Sequence, residues 1–316
     1  MRDDFVTRNV PERPTAVALG VFDGVHKGHR AVLKEATAEN YLEPWVFTFS
    51  EGDLSAVKKN ALQIEPAELK YRIMKKLGIA HIFAPEFSEV KELSGEEFVE
   101  RVLVSHLKCR RVICGTDFRF GKGASCGAAE LAELCKNRGI DCAIVEKLID
   151  GGEAISSTRI RDSIKNGDME TASRLLGYPF CIEKEVVSGK HLGSENGVPT
   201  MNQPLSEGFA MPRFGVYVSA SLIDGVLYPS VTDVGVKPTV SDENLPFAET
   251  NVIGFCKNVY GKRVSVFLLR FLRDEKAFNT KEELFGQILA DRETAGSEAA
   301  DWINKHGSET LRIVGT

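Results

Sequence analysis

Near residue 180 the pattern of this chain changes, and that change limits the possible folds more than any other feature. Before it, strand-like and helix-like segments alternate. Thr15 to Phe22 is a nearly continuous apolar run, His29 to Tyr41 reads as a helix, and Pro44 to Phe49 is a second strand. Pro66 opens a helix with Leu69, Ile73, Met74 and Leu77 at 3–4 spacing, and Gly78 ends it. His81–Ala84, Arg111–Gly115 and Asp141–Val145 read as short strands, with helices near Gly95–Leu107 and Cys126–Arg138 between them. Such alternation predicts a parallel sheet with helices on both faces. After residue 180, Phe180–Val187, Phe214–Ile223, Val226–Val234, Glu249–Phe255 and Lys262–Leu272 read as strands. Asp224-Gly225 is a hairpin turn signal. A two-residue turn cannot join parallel strands, so this half is antiparallel. Its strand count suits a small barrel, and Leu284, Phe285, Ile288 and Leu289 mark an amphipathic closing helix. The expectation is an α/β domain over 1–180 and a β-barrel domain over 181–316.

A length of 316 residues agrees with about two domains. Lys and Arg number 40 against 45 Asp and Glu, a net charge of −5 that gives no general attraction for nucleic acid or anionic lipid. Any bound phosphate must be gripped locally. Met1 to Glu12 holds no apolar signal-peptide core, and the most apolar stretch, Val264–Leu272, is nine residues, where a bilayer needs about 20. The seven cysteines form no CxxC pair, which argues against a disulfide framework or zinc ribbon and for a reducing compartment. A cytoplasmic protein without nucleic-acid or membrane partners is expected.

The first chemical constellation is Gly20-Val21-Phe22-Asp23-Gly24-Val25-His26-Lys27-Gly28-His29. A buried strand runs into a glycine-rich turn where a helix begins. Glycines let backbone N–H groups approach an anion, and a helix start adds a favourable dipole. His26 and His29, three apart, point to one side and can donate to phosphate oxygens. Neither GxxxxGK[ST] nor GxGxxG is present. Gly115-Thr116-Asp117-Phe118-Arg119-Phe120-Gly121 follows a strand, where ligands bind in open parallel sheets. Ile155-Ser156-Ser157-Thr158-Arg159-Ile160-Arg161 opens a helix with capping hydroxyls and two arginines.

His26-Lys27-Gly28-His29 resembles the HxGH signature of the nucleotidyltransferase superfamily, and the longer string is similar to the first motif of prokaryotic FAD synthetases. The Asp117 turn and the Ser157 helix start resemble that family's second and third motifs. The resemblance implies a Rossmann-like nucleotidyltransferase domain that joins FMN to ATP. It implies catalytic roles for His26, His29 and Arg161, and ATP or phosphate contacts from Gly20, Phe22, Asp23, Gly24, Gly28, Asp117, Ser157 and Thr158. A phosphate monoester has a second pKa near 6, so FMN is already an anionic nucleophile at pH 7. Its attack on the α-phosphorus of ATP needs positioning and charge neutralisation rather than a base.

The second constellation is Gly189-Lys190-His191-Leu192-Gly193 with Pro199-Thr200-Met201-Asn202 and Glu249. Thr200 and Asn202, two apart in an extended segment, share one face. A hydroxyl and an amide oxygen are hard ligands that suit Mg²⁺ held mainly by ATP phosphates. The stretch resembles the GxxxGRxxGxPTAN motif of riboflavin kinases, with Ser194 for Arg and Met201 for Ala. Glu249 to Phe255 resembles the family's ETHxxDF strand, with Asn251 for His and Gly254 for Asp. The resemblance implies a phosphate loop at Gly189 and Gly193, metal ligation by Thr200 and Asn202, and a base at Glu249 for the riboflavin 5′-hydroxyl. A sugar alcohol is barely ionised at pH 7, so this half needs a base where the other does not.

The expected activity is bifunctional: riboflavin to FMN, then FMN to FAD with release of pyrophosphate, ATP and Mg²⁺ serving both. A FAD synthetase with a degenerate flavin-binding kinase module is the alternative kept open by Ser194, Asn251 and Gly254. A non-catalytic flavin sensor is a more distant one, since a sensor needs neither metal ligands nor a base.

Overall fold

In the computed structural model, which describes residues 6–49, 62–187, 200–236 and 246–315, the apolar run after Pro14 forms strand β1 (Thr15–Leu19). It lies at the centre of a five-stranded parallel sheet with β2 (Glu43–Phe47), β3 (His81–Phe83), β4 (Cys109–Gly115) and β5 (Asp141–Val145), in the order β3-β2-β1-β4-β5. Alternate residues of β1 serve opposite faces. Val17 and Leu19 join Trp45, Phe47, Val112 and Cys114 in one core, closed by the helical segment Phe98–His106 and helix Ala128–Lys136. Ala16 and Ala18 face the other way and are equally buried, and α1 (Lys27–Ala36) packs on β1 and β4. Both faces are therefore covered, as a parallel sheet requires. The strands run on either side of β1, so the loops after β1 and β4 meet at a topological switch point.

Cys114 is wholly buried. Its hydrogen bond to Cys142 and its burial push the thiol far up, which makes it a core residue. The chain then forms a small hairpin, Ile149–Asp150 with Glu153–Ala154, that sequence periodicity did not signal.

Contacts divide the chain into two compact units, Met1–Gln63 with Ala67–Ser157, and Ile64–Pro66 with Thr158–Thr316. The division falls after Ser157, earlier than the change of strand pattern. At the start of the second unit, α5 (Ser157–Asn166, numbering Ala67–Lys76, Phe98–His106 and Ala128–Lys136 as α2 to α4), whose first residue Ser157 belongs to the first unit, leads into α6 (Met169–Leu176). Asp168 caps α6, and Gly177, at φ 79°, ends it. Ala172, Leu175 and Leu176 of α6 are fully buried, and the helix packs on β8 (Phe180–Glu185) and β13 (Arg263–Arg273).

With β6 and β7 as the small hairpin, the remaining strands are β9 (Thr200–Pro204), β10 (Gly215–Ile223), β11 (Val226–Val236) and β12 (Pro246–Val252). The six strands form an antiparallel sheet in the order β8-β13-β10-β11-β12-β9. Its two ends are tied by Val187 N–H donating to Asn202 O at 2.8 Å, which curls the sheet towards a barrel. Asp224 and Gly225, both at positive φ (49° and 81°), form the expected tight turn, and Ile223 pairs with Val226. The buried face carries hydroxyls as well as apolar groups: Ser219 to Thr232 at 2.8 Å and Thr232 to Thr250 at 2.9 Å. The closing helix, α7 (Lys281–Val314), is 34 residues long and packs on β10 and β11. Asp291 of α7 is buried and accepts from Arg273 Nε at 3.0 Å.

Candidate active sites

Past β1 the chain must turn sharply to enter α1. Gly24 takes φ 84°, where glycine carries no penalty. His26 is the N-cap of α1, so the helix begins two residues earlier than periodicity indicated. The His26 Nδ1 accepts from the His29 backbone N–H at 3.2 Å, which leaves the proton of a neutral His26 ring on Nε2. The two imidazoles stack with centroids 3.6 Å apart and planes 15° from parallel. The expected one-sided projection of His26 and His29 is thus realised as a stacked pair at the helix start. Gly28 makes room for it, since a Cβ there would stand 3.2 Å from His26 Nδ1.

Ser157 Oγ donates to the Asp23 carbonyl at 2.9 Å and joins the β1 loop to the start of α5. Asp23 and Ser157 are both buried. The other two residues of that motif, Thr158 and Arg161, lie on α5 and belong to the second unit. Asp117 follows β4, with the Phe118 N–H bonded to the Gly115 carbonyl at 3.1 Å. Its carboxylate pairs with Lys147 at 3.1 Å, a partner with no signal in the sequence. Gly20 and Phe22 face each other: the Phe22 ring occupies the space beside Gly20 where a side chain would be.

In the second unit, Asn202 pairs directly with Glu249 and Thr200 with Asn251 across β9 and β12. Directly paired residues of an antiparallel ladder share a face. Thr200 Oγ1 donates to Glu249 Oε1 at 2.7 Å. Asn202 and Asn251 are buried, while Thr200 and Glu249 are partly open. Asp233 lies opposite Glu249 on the other side of β12, so the same face holds a second carboxylate that sequence reading missed. Only the pairing of β11 with β12 reveals it. Gly189, Gly193 and Ser194 lie outside the described residues.

The Thr200 hydroxyl, the Asn202 amide and the Glu249 carboxylate are oxygen donors gathered at one strand pair, a donor set that fits Mg²⁺ shared with nucleotide phosphates. Among the described residues no group of three or more His, Cys, Asp or Glu side chains is placed to hold a metal. A transition-metal centre built from such ligands therefore has no counterpart among them.

A parallel α/β domain with paired histidines at the first helix start, followed by an antiparallel barrel with Thr, Asn and Glu on one face, defines a two-module class of protein with a candidate phosphate-handling site in each module. The FAD synthetase family model matches residues 9–159 and the riboflavin kinase family model residues 176–298. The bifunctional riboflavin kinase/FMN adenylyltransferase of Listeria monocytogenes is 32% identical over 284 residues, 88% of this chain and 90% of its own. That of Escherichia coli is 31% identical over 292 residues, 90% and 93% of the two chains. A solved Streptococcus pneumoniae structure, described as a macrolide-efflux protein, is 30% identical with a TM-score of 0.81. It covers 92% of this chain and 97% of its own. Among the described residues no helix is long and apolar enough to cross a membrane. The chain belongs to the bifunctional riboflavin kinase/FMN adenylyltransferase family.

Proposed function

We propose that this chain phosphorylates riboflavin with ATP to give FMN, and adenylylates FMN with a second ATP to give FAD and pyrophosphate. The observation that carries the bifunctional reading is the Thr200–Glu249 hydrogen bond, with Asn202 opposite Glu249. A barrel that merely bound flavin needs no such set. Glu249 takes the proton of the riboflavin 5′-hydroxyl as it attacks the γ-phosphorus and ADP departs, and Thr200 and Asn202 are the residues that would hold Mg²⁺. Mg²⁺ held there would supply charge neutralisation for the transferring phosphoryl group. Gly254, which stands where the family resemblance leads one to expect Asp, has φ 78°. Gly and Asp both enter that left-handed region more readily than most residues.

In the adenylyltransferase half, the FMN phosphate attacks the α-phosphorus without a base. His26, donating from Nε2, and His29 stabilise the charge that develops on the α-phosphate. Asp23, Gly24 and Gly28 shape the anion site with Asp117 and Ser157, Gly20 and Phe22 support it without touching the nucleotide, and the role of Thr158 rests on its place in the motif. The role of Arg161 rests on its place in the motif, four residues after Ser157. The phosphate loop of the kinase half is assigned to Gly189 and Gly193 on the same basis. A cytoplasmic setting suits the cysteines, none of which is in a disulfide among the described residues.

Incubation with riboflavin, ATP and Mg²⁺, with flavins separated over time, tests the reading. FMN should rise first and FAD follow. FAD from supplied FMN but none from riboflavin would identify a FAD synthetase with an inactive kinase half. Flavin binding with no turnover would identify a sensor.

A further inference from the structure

We propose that Phe22 is a positioning residue for His29 in adenylyl transfer, acting through its ring and not through contact with ATP. The inference rests on the adenylyltransferase reading above. Phe22 has φ 53°, a left-handed conformation that a bulky aromatic residue seldom adopts. Such strain persists only where the surroundings over-determine it. Here they do. Gly20 N–H donates to the Phe47 carbonyl at 3.2 Å and Thr48 Oγ1 donates to the Val21 carbonyl at 3.0 Å, so the backbone just ahead of Phe22 is pinned to β2 and its end.

The turn sends the Phe22 ring inwards, where it is only 1% exposed. Its tip faces Gly20: a Cβ there would stand 3.0 Å from Phe22 Cζ. Its ring also makes an edge-type contact with His29, with centroids 5.4 Å apart and planes 76° apart. His29 is thereby held between the Phe22 ring and the face of His26, 3.6 Å away. Gly20, Phe22, His29 and His26 form one packed series. A charge-stabilising donor must be aimed closely, and a misplacement of about 1 Å can reduce rate about 10²-fold. Gly20 serves this series by leaving room for the ring. Filling that room moves the ring, and the ring bears on His29.

The test uses the full chain, supplied FMN and ATP. Phe22→Leu keeps an apolar side chain but removes the ring. Its kcat for FAD formation should fall about 10–100-fold with KM for ATP within about threefold of wild type. Riboflavin phosphorylation by the same preparation should be unchanged. The nuclear Overhauser contact between the two imidazoles, read in histidine-labelled protein, should weaken. Gly20→Ala should reproduce the kcat loss, yet add nothing further in the Phe22→Leu background. Wild-type kcat in Phe22→Leu, a loss confined to KM, an intact imidazole contact, or losses that multiply in the double variant each overturn the proposal. Should Phe22→Leu leave the first unit unfolded, Gly20→Ala alone decides, and wild-type FAD formation by it overturns the role. The underlying reading fails separately, if wild type makes no FAD from FMN.

Discussion

Thr200 and Glu249 are joined by a 2.7 Å hydrogen bond between adjacent strands, so the candidate metal ligand and the candidate base belong to one unit of the β9–β12 ladder. Disturbing either one changes the setting of the other. The two functions must therefore be separated by substitutions that keep shape.

Glu249→Gln is such a change. It retains an oxygen that can accept from Thr200 but cannot take a proton from the riboflavin hydroxyl. FMN formation should fall by about 10²–10⁴, the usual worth of a general base. Riboflavin binding and the conversion of supplied FMN to FAD should persist. Product separation from each starting flavin checks both, and unchanged FMN formation would remove Glu249 from the base role.

Asn202→Ala should raise the Mg²⁺ concentration needed for half-maximal kinase rate and lower its turnover. Adenylylation of supplied FMN should keep the wild-type Mg²⁺ dependence. A kinase titration that overlays wild type would remove Asn202 from the ligand set.

His29→Ala should lower FAD formation by about 10²–10³, as expected for loss of one stabiliser of developing charge. FMN should then accumulate from riboflavin, because the kinase residues lie in the other unit. Undiminished FAD output from folded protein would contradict the assignment.

Fragments of the chain should show where the second core begins. Met169, Ala172, Leu175 and Leu176 are buried, and α6 packs on β8 and β13. Burying one large apolar side chain contributes about 1.5–3 kcal/mol. A fragment starting at Thr158 should therefore melt cooperatively and well above one starting at Cys181. Equal melting of the two would mean that α6 adds little to the second core.

Asp291→Ala should destabilise the second unit by about 3 kcal/mol, since it leaves the Arg273 guanidinium without its buried carboxylate. Thermal unfolding followed by far-ultraviolet circular dichroism reads the shift. Replacement of both residues by apolar ones should recover much of the loss.

Much of the architecture was legible because local chemistry determined it. Asp224-Gly225 admits few turns, and the strand pairing follows from it. Val17 and its neighbours read as a buried strand because both faces of a parallel strand are covered. The helix start at Lys27 was read two residues late because histidine is an unusual cap. The full length of α7 was hidden, as its buried positions include Ala295, Ala299, Gly307 and Thr310, small residues that leave little apolar periodicity. The hydroxyl series Ser219, Thr232 and Thr250 looks polar in sequence and is wholly buried in the fold. Membership of α6 in the second unit depends on contacts with β13, nearly a hundred residues away, which no local pattern records. Of the candidate site residues, His26, His29, Thr200, Asn202 and Glu249 were proposed from spacing and motif, and the fold places His26 beside His29 and Thr200 and Asn202 beside Glu249. The neighbours Lys147 and Asp233 needed the sheet pairing or the folded loops.

The bond that closes the barrel, from Val187 N–H to the Asn202 carbonyl, ends on a residue of the proposed metal site. Opening that seam removes one of the bonds that fix Asn202, leaving its pairing with Glu249 in the β9–β12 ladder, and loosens the placement of its side chain. Mg²⁺ and nucleotide, by favouring the closed arrangement, should slow solvent exchange of the Val187 amide proton. That single proton, donated directly to a residue of the proposed metal site, becomes an internal gauge of whether the kinase half is loaded.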